Sequence, residues 1–213
     1  PGDLRSKEAI LSFVRINLIR YGSVCDFYLP KKYMQDPEVL KEVEDICKEH
    51  QVEYDYVTPD TTKKSEILNS SKSKVRFFSG FDLSDDLYKG LYLYNKKAGA
   101  GISGDDGISL AISGGNLPFH GKTLPEEGIQ SVVIKDMMEL AKELGLNNLG
   151  MYFQFFFERK KNDNYIELEN HLNSEQLKLI LQEYDQFVAY IHKKKDIFYA
   201  LIQQFYYVNK YII

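Results

Sequence analysis

Few residues of this chain carry types and spacings that suit chemistry, and they are scattered. Glu158-Arg-Lys160 closes an apolar run, and a carboxylate two residues before a lysine at a strand exit can hold Mg²⁺ while the ammonium polarises a water. His120-Gly-Lys122, with Glu127 five residues on, offers an imidazole, an ammonium and a carboxylate within one short segment. Lys97-Ala-Gly-Ala-Gly-Ile-Ser-Gly-Asp-Asp-Gly107 is the most glycine-dense stretch, and glycines at such density let backbone N–H groups approach an anion, with Gly104 at its centre. A phosphate cradle of the usual kinds needs a strand before the glycines and a helix after them. Residues 108–112 instead have the β-branched look of a strand, and Asp105 and Asp106 oppose a phosphate, so a loop between strands is expected. Cys47 and His50 stand three apart on one helix, but a structural zinc site needs two such pairs, so no metal is expected. Arg159-Lys160-Lys161, Lys193-Lys194-Lys195 and Lys96-Lys97 are short basic patches with tyrosines or phenylalanines nearby, a mixture that suits phosphate contact with base stacking.

Several of these segments resemble pieces of known families. Glu158-Arg-Lys160 is similar to the Glu-x-Lys element of metal-dependent nucleases, which also requires an aspartate on a neighbouring strand. His120-Gly-Lys122 with Glu127 resembles the His-x-Lys-x4-Asp spacing of phospholipase D-like phosphodiesterases, with Glu in place of Asp and with Gly121 and Pro125 where those enzymes have a strand. Asn116-Leu-Pro-Phe119 is similar to the catalytic turn of adenine-specific DNA methyltransferases. The resemblance implies that the Asn116 amide and the Pro118 carbonyl hold a target amino group while Phe119 stacks on the base. The glycine-rich S-adenosylmethionine loop that such an enzyme needs does not stand upstream. Ala100-Gly-Ile-Ser-Gly104 with Asp106-Gly107 and Ser109 to Gly115 resembles part of the SRA domains that read methylated cytosine. Those domains continue with an acidic tyrosine-containing run where this chain has Asn116-Leu-Pro-Phe-His-Gly, so the base-reading part is missing.

The elements that must position these residues follow from periodicity. Residues 6–21 place Ile10, Leu11, Val14, Leu18 and Ile19 at imperfect helical spacing and end at Gly22. Asp36 caps, and Pro37 opens, a helix with Val39, Leu40, Val43, Ile46 and Cys47 on one face. Short strands are expected at 23–29 and 52–57, and three more at 75–81, 87–94 and 108–112, forming an antiparallel meander. Residues 58–73 are polar and read as a flexible connector or internal boundary. Residues 129–144 form a helix closed by Gly145. The nearly continuous apolar run 149–157 reads as a central strand covered on both faces, with 165–168 pairing to it. Asn173 or Ser174 opens a helix to about His192, and a last helix carries Ile197, Phe198, Leu201, Ile202 and Phe205 with Tyr206, Tyr207 and Tyr211 around the cylinder.

Composition sets the outer bounds. The 213 residues carry 27 Lys plus Arg against 31 Asp plus Glu, and 44% are apolar. That balance excludes a disordered or collagen-like chain and gives no global pull toward nucleic acid. No apolar run reaches the roughly 20 residues of a membrane-spanning helix, and with only two cysteines and no signal core a cytoplasmic location is expected. The expected fold is one α+β domain over 1–213, with a mainly antiparallel central sheet and helices at both ends. The expected function is a non-catalytic interaction module without a cofactor. It would bind a protein partner or a second copy through Tyr206, Tyr207 and Tyr211, with Gly104 and Asn116 as further binding candidates. The alternative is a nucleic-acid-binding protein or a Mg²⁺-dependent nuclease using Glu158 and Lys160, with His120 as a further catalytic candidate.

Overall fold

The computed structural model describes residues 6–22, 25–59, 74–94, 99–102, 105–121, 129–158 and 172–194. Helix α1 spans Lys7–Tyr21. The Ser6 hydroxyl accepts from the Ala9 N–H at 3.1 Å, and Gly22, at φ 59°, returns its N–H to Leu18 O at 2.8 Å. Almost every residue from Ala9 to Leu18 is buried, which explains the imperfect stripe in the sequence: a helix covered on all sides needs no polar face. Next come β1 (Asp26–Tyr28), α2 (Pro37–Glu49), β2 (Glu53–Val57) and β3 (Lys74–Phe78). Asp36 caps α2 as its sequence requires, accepting from the Glu38 N–H at 2.9 Å.

Beyond β3 the chain departs from the expected meander. Residues 85–94 and 105–113 are helices, α3 (Asp85–Tyr94) and α4 (Asp105–Ser113), flanking β4 (Gly99–Ile102) and followed by β5 (Leu117–His120). The Ser84 hydroxyl accepts from the Leu87 N–H at 3.3 Å, so Ser-Asp-Asp opens α3 with a cap and acidic residues in its first turn. The remaining described elements are α5 (Ile129–Glu143), α6 (Asn147–Glu158) and α7 (Ser174–Lys194). The apolar run at 149–157 is therefore a helix and not a central strand.

All strand pairs among the described residues are parallel. One sheet has the order β1-β3-β2 and the other pairs β4 with β5. This overturns the mainly antiparallel sheet, and the reason is connectivity: a helix stands between β1 and β2 and another between β4 and β5, and a helical crossover returns the chain in the same direction. The fold is α+β, with seven helices among the described residues. The expected pairing of 165–168 and the last helix from 196 lie outside the described residues, as does most of the polar connector at 58–73.

Helix α1 joins the two sheets. The Phe13 ring meets Phe27 of β1 edge-on at 6.1 Å and Phe119 of β5 at 5.6 Å, while Phe27 stacks on Phe77 of β3 at 5.1 Å. Such ring pairs add about 0.5–1.5 kcal/mol each beyond the area they bury. Phe13 lies against Phe119 near the end of β5 and Asn17 lies against Gly99 at the start of β4, so α1 runs opposite to that sheet. Helix α6 runs with it, because the Tyr152 hydroxyl donates to Pro118 O at 2.9 Å and Phe156 packs on Phe119 at 5.5 Å. No helix among the described residues is long and apolar enough to cross a membrane.

Candidate functional site

Strand β4, helix α4 and strand β5 form one βαβ unit, and its register decides what meets at its carboxyl edge. Gly99 pairs with Leu117, Gly101 with Phe119 and Ile102 with His120. Helix α4 opens at Asp105, two residues of sequence after β4 ends. His120, at the end of β5, thus stands beside Ile102 at the end of β4. Helix α6 advances in the same direction as β5, so its last residue, Glu158, is carried toward this edge too. In parallel sheets, ligands bind outside the carboxyl ends of the strands, where loops and helix N-termini converge.

Gly99, Gly101 and Gly104 have G-x-G-x-x-G spacing, and the element after them is a helix and not a strand. The first two glycines lie within β4 and not beyond it. Gly99 is required by packing: a Cβ there would come 2.4 Å from Asn17 Oδ1.

The remaining sequence candidates separate. Asn116 is 1% exposed, and its carbonyl accepts from the Tyr184 hydroxyl at 2.8 Å. The Pro118 carbonyl accepts from Tyr152, and Phe119, 2% exposed, is wedged edge-on between Phe13 and Phe156. The groups that the methyltransferase resemblance would direct at a base are thus engaged in the core. His120 is 1% exposed. Glu158 ends a helix, so the strand exit on which a nuclease-like Glu-x-Lys arrangement relies is not formed there. Lys160, Gly104, Lys122, Glu127, Tyr206, Tyr207 and Tyr211 lie outside the described residues. Cys47 is a buried member of the core, and Cys25 donates its thiol to Gly22 O at 3.7 Å. Both are free thiols, and burial pushes Cys25 up to about 12 and Cys47 up to about 11. Neither is a thiolate at neutral pH, which argues against a cysteine nucleophile. Among the described residues no cluster of three or more His, Cys, Asp or Glu side chains is placed to hold a metal ion.

A concavity lies at the opposite end of the unit, where Gly115 precedes β5. It is a cleft of about 410 Å³ between the end of α1 and the first half of α7, bordered by Arg20, Tyr21, Leu177, Lys178, Tyr184 and Asp185. The Arg20 guanidinium lies 4.4 Å from the centre of the Tyr21 ring. Burial lowers the Arg20 pKa, raises Tyr21 to about 12 and raises Tyr184 well above the ordinary tyrosine value. The raised values keep both phenols protonated at neutral pH, so neither tyrosine serves there as a general base.

Sequence reasoning missed the residues that hold the site in place. Glu183 of α7 accepts from the Leu149 N–H at 2.7 Å and from Asn148 Nδ2 at 2.6 Å, capping α6 from 34 residues away. Tyr152 and Tyr184 anchor β5 by its carbonyls. Of these, only the helical spacing of Tyr184 with Leu177, Ile180 and Phe187 was visible beforehand. Compared with profiles of known protein families, with characterised proteins and with solved structures, the chain matches none.

Proposed function

We propose that this chain binds a nucleotide-class ligand at the carboxyl edge of the β4–β5 pair. The observation that supports the reading is the parallel Ile102–His120 register pair, which sets the end of β4, with helix α4 following it in the chain, at a carboxyl strand edge. Backbone N–H groups of the first turn of α4 would take a phosphate. Asp105 and Asp106 at the helix start oppose a highly charged phosphate and favour sugar hydroxyls. A dinucleotide, whose pyrophosphate carries one negative charge per phosphorus and joins two riboses, fits that mixture better than a triphosphate. The test is isothermal titration of the full chain with NAD, AMP and ATP, followed by Gly104→Val. Saturable binding in the order NAD above ATP, abolished by the valine, is the expected result. No saturable heat with any of the three would overturn the reading.

A protein partner or a second copy at the C-terminal tyrosines is a second proposal, supported by the apolar stripe Ile197, Phe198, Leu201, Ile202 and Phe205 that Tyr206, Tyr207 and Tyr211 extend. Light scattering of the parent beside Tyr207→Ala tests it. A parent that is monomeric at all concentrations and retains no partner would overturn it.

A further inference from the structure

The other parallel sheet ends in a feature that the β4–β5 reading does not use. Ser79 follows β3, the middle strand of β1-β3-β2, and its N–H donates to Val57 O at 3.1 Å, extending the ladder by one residue. Its residue is 7% exposed, yet its Oγ has no hydrogen-bond partner. Buried hydroxyls are nearly always satisfied, because an unpaired one costs about 1–3 kcal/mol relative to water. An orphan at the carboxyl end of a central parallel strand is in the place where such sheets hold ligands.

Two neighbours give this position a chemical sign. Gly80 follows at φ 77°, a conformation that side chains disfavour, so the backbone turns sharply directly after the hydroxyl. Lys31, from the turn after β1, lays its stem across that glycine, with Cδ 3.7 Å and Cε 3.9 Å from the point a Cβ would occupy. The Pro59 ring, after β2, closes the other side at 3.6 Å. All three strands of the sheet therefore contribute a residue to one small locus: Lys31 after β1, Pro59 after β2, and Ser79 with Gly80 after β3. Lys31 has no ion-pair partner among the described residues, and its stem lies against the glycine that follows the unpaired hydroxyl in the chain.

We infer that Ser79, Gly80 and Lys31 form a subsite for a phosphate group at the carboxyl edge of the β1-β3-β2 sheet. The Ser79 hydroxyl donates to one phosphate oxygen and the Lys31 ammonium pairs with another, at the sharp turn that Gly80 makes after β3. The site is separate from the Gly104 turn, and its test does not depend on nucleotide binding.

The test uses the full chain with inorganic phosphate and, separately, glycerol phosphate, each followed by ³¹P line broadening and by thermal melting against chloride at matched ionic strength. Phosphate salts stabilise most proteins through exclusion from their surface, so the variants carry the argument. Lys31→Ala, at an exposed position, should weaken binding about tenfold or more, with Lys31→Arg restoring most of it. Ser79→Ala should leave the melting temperature in chloride unchanged or raised, since it removes an unsatisfied hydroxyl, while losing the saturable phosphate response. Gly104→Val should leave that response intact. Tighter binding of glycerol phosphate than of inorganic phosphate would assign the site to a phosphate monoester, and the reverse order would assign it to the free ion. A response that is unsaturable, or equal in the parent, Lys31→Ala and Ser79→Ala, would overturn the inference, as would a Ser79→Ala that melts well below the parent in chloride.

Discussion

Replacing Gly99 by alanine isolates the contact that sets the βαβ unit against α1. The new Cβ would lie 2.4 Å from Asn17 Oδ1 and 3.0 Å from both Cγ and Nδ2. Asn17 is itself buried, and its Nδ2 donates to Phe13 O at 2.7 Å, so the amide has no open space to swing into without giving up that bond. A buried amide left unpaired costs about 1–3 kcal/mol, and forcing a methyl into a packed interior costs a similar amount. Because the φ of Gly99 lies outside the left-handed region, alanine also stiffens the unfolded chain and returns about 0.4–1 kcal/mol. The balance is a loss of about 3 kcal/mol. For a chain of this length that is a fall of roughly 6–12 °C in melting temperature. Urea denaturation of the parent, Gly99→Ala, Asn17→Ala and the double variant gives the coupling directly. The double variant should recover at least half of the loss, since Asn17→Ala removes the obstructing group. A loss below about 1 kcal/mol for Gly99→Ala, or no recovery in the double variant, would refute the packing account and return Gly99 to the set of glycines kept for a ligand.

Phe153→Ala should destabilise by about 3–5 kcal/mol in the same urea assay, because the ring is fully buried against Tyr152 and Phe187. Glu183→Ala should cost about 1–2 kcal/mol and raise amide exchange at the start of α6, since it removes the carboxylate that caps Leu149. Burial raises both thiol pKa values, so the reactive thiolate is scarce at pH 8 and grows toward pH 11 to 12; alkylation of the folded chain should be slow at the lower pH and accelerate steeply with pH, and two rapidly labelled thiols at pH 8 would contradict the buried placement. Glu158→Ala should change stability by no more than about 0.5 kcal/mol. A Mg²⁺-dependent cleavage of nucleic acid in the parent that this change abolishes would revive the nuclease alternative.

What was legible in the sequence was whatever is fixed locally. Asp36-Pro37 announces α2, Gly22 and Gly145 close their helices at positive φ, and Glu53 to Val57 shows the alternation of a half-buried strand. The three segments misread as strands share one physical property, an apolar content too high for a surface helix. Residues 149–157 look like a covered strand because α6 is buried on several sides at once, with Tyr152 and Phe156 turned to β5 and Phe153 to α7. Its N-cap is the distant Glu183, which no local window contains. Residues 87–94 did have a local signal in Ser84-Asp-Asp, and the aromatic content outweighed it.

The same misreading concealed the candidate site. With residues 108–112 taken as a strand, the glycines at 99, 101 and 104 could only be a loop between antiparallel partners, and the stretch failed its own test for a phosphate cradle. With α4 in place, β4 and β5 are parallel and the Ile102–His120 pair marks a carboxyl edge, which is what the proposal for a ligand rests on. A single change of element type therefore carries both the correction to the sheet and the proposal for the ligand, and the two stand or fall on α4. A helix-breaking Leu110→Pro should accordingly abolish nucleotide binding along with the fold of the β4–β5 pair. Ser109→Ala, at an exposed position on the same helix, should leave both intact. Loss of nucleotide binding in the alanine variant with an unchanged melt would place the ligand on the outer face of α4 and not at its N-terminus.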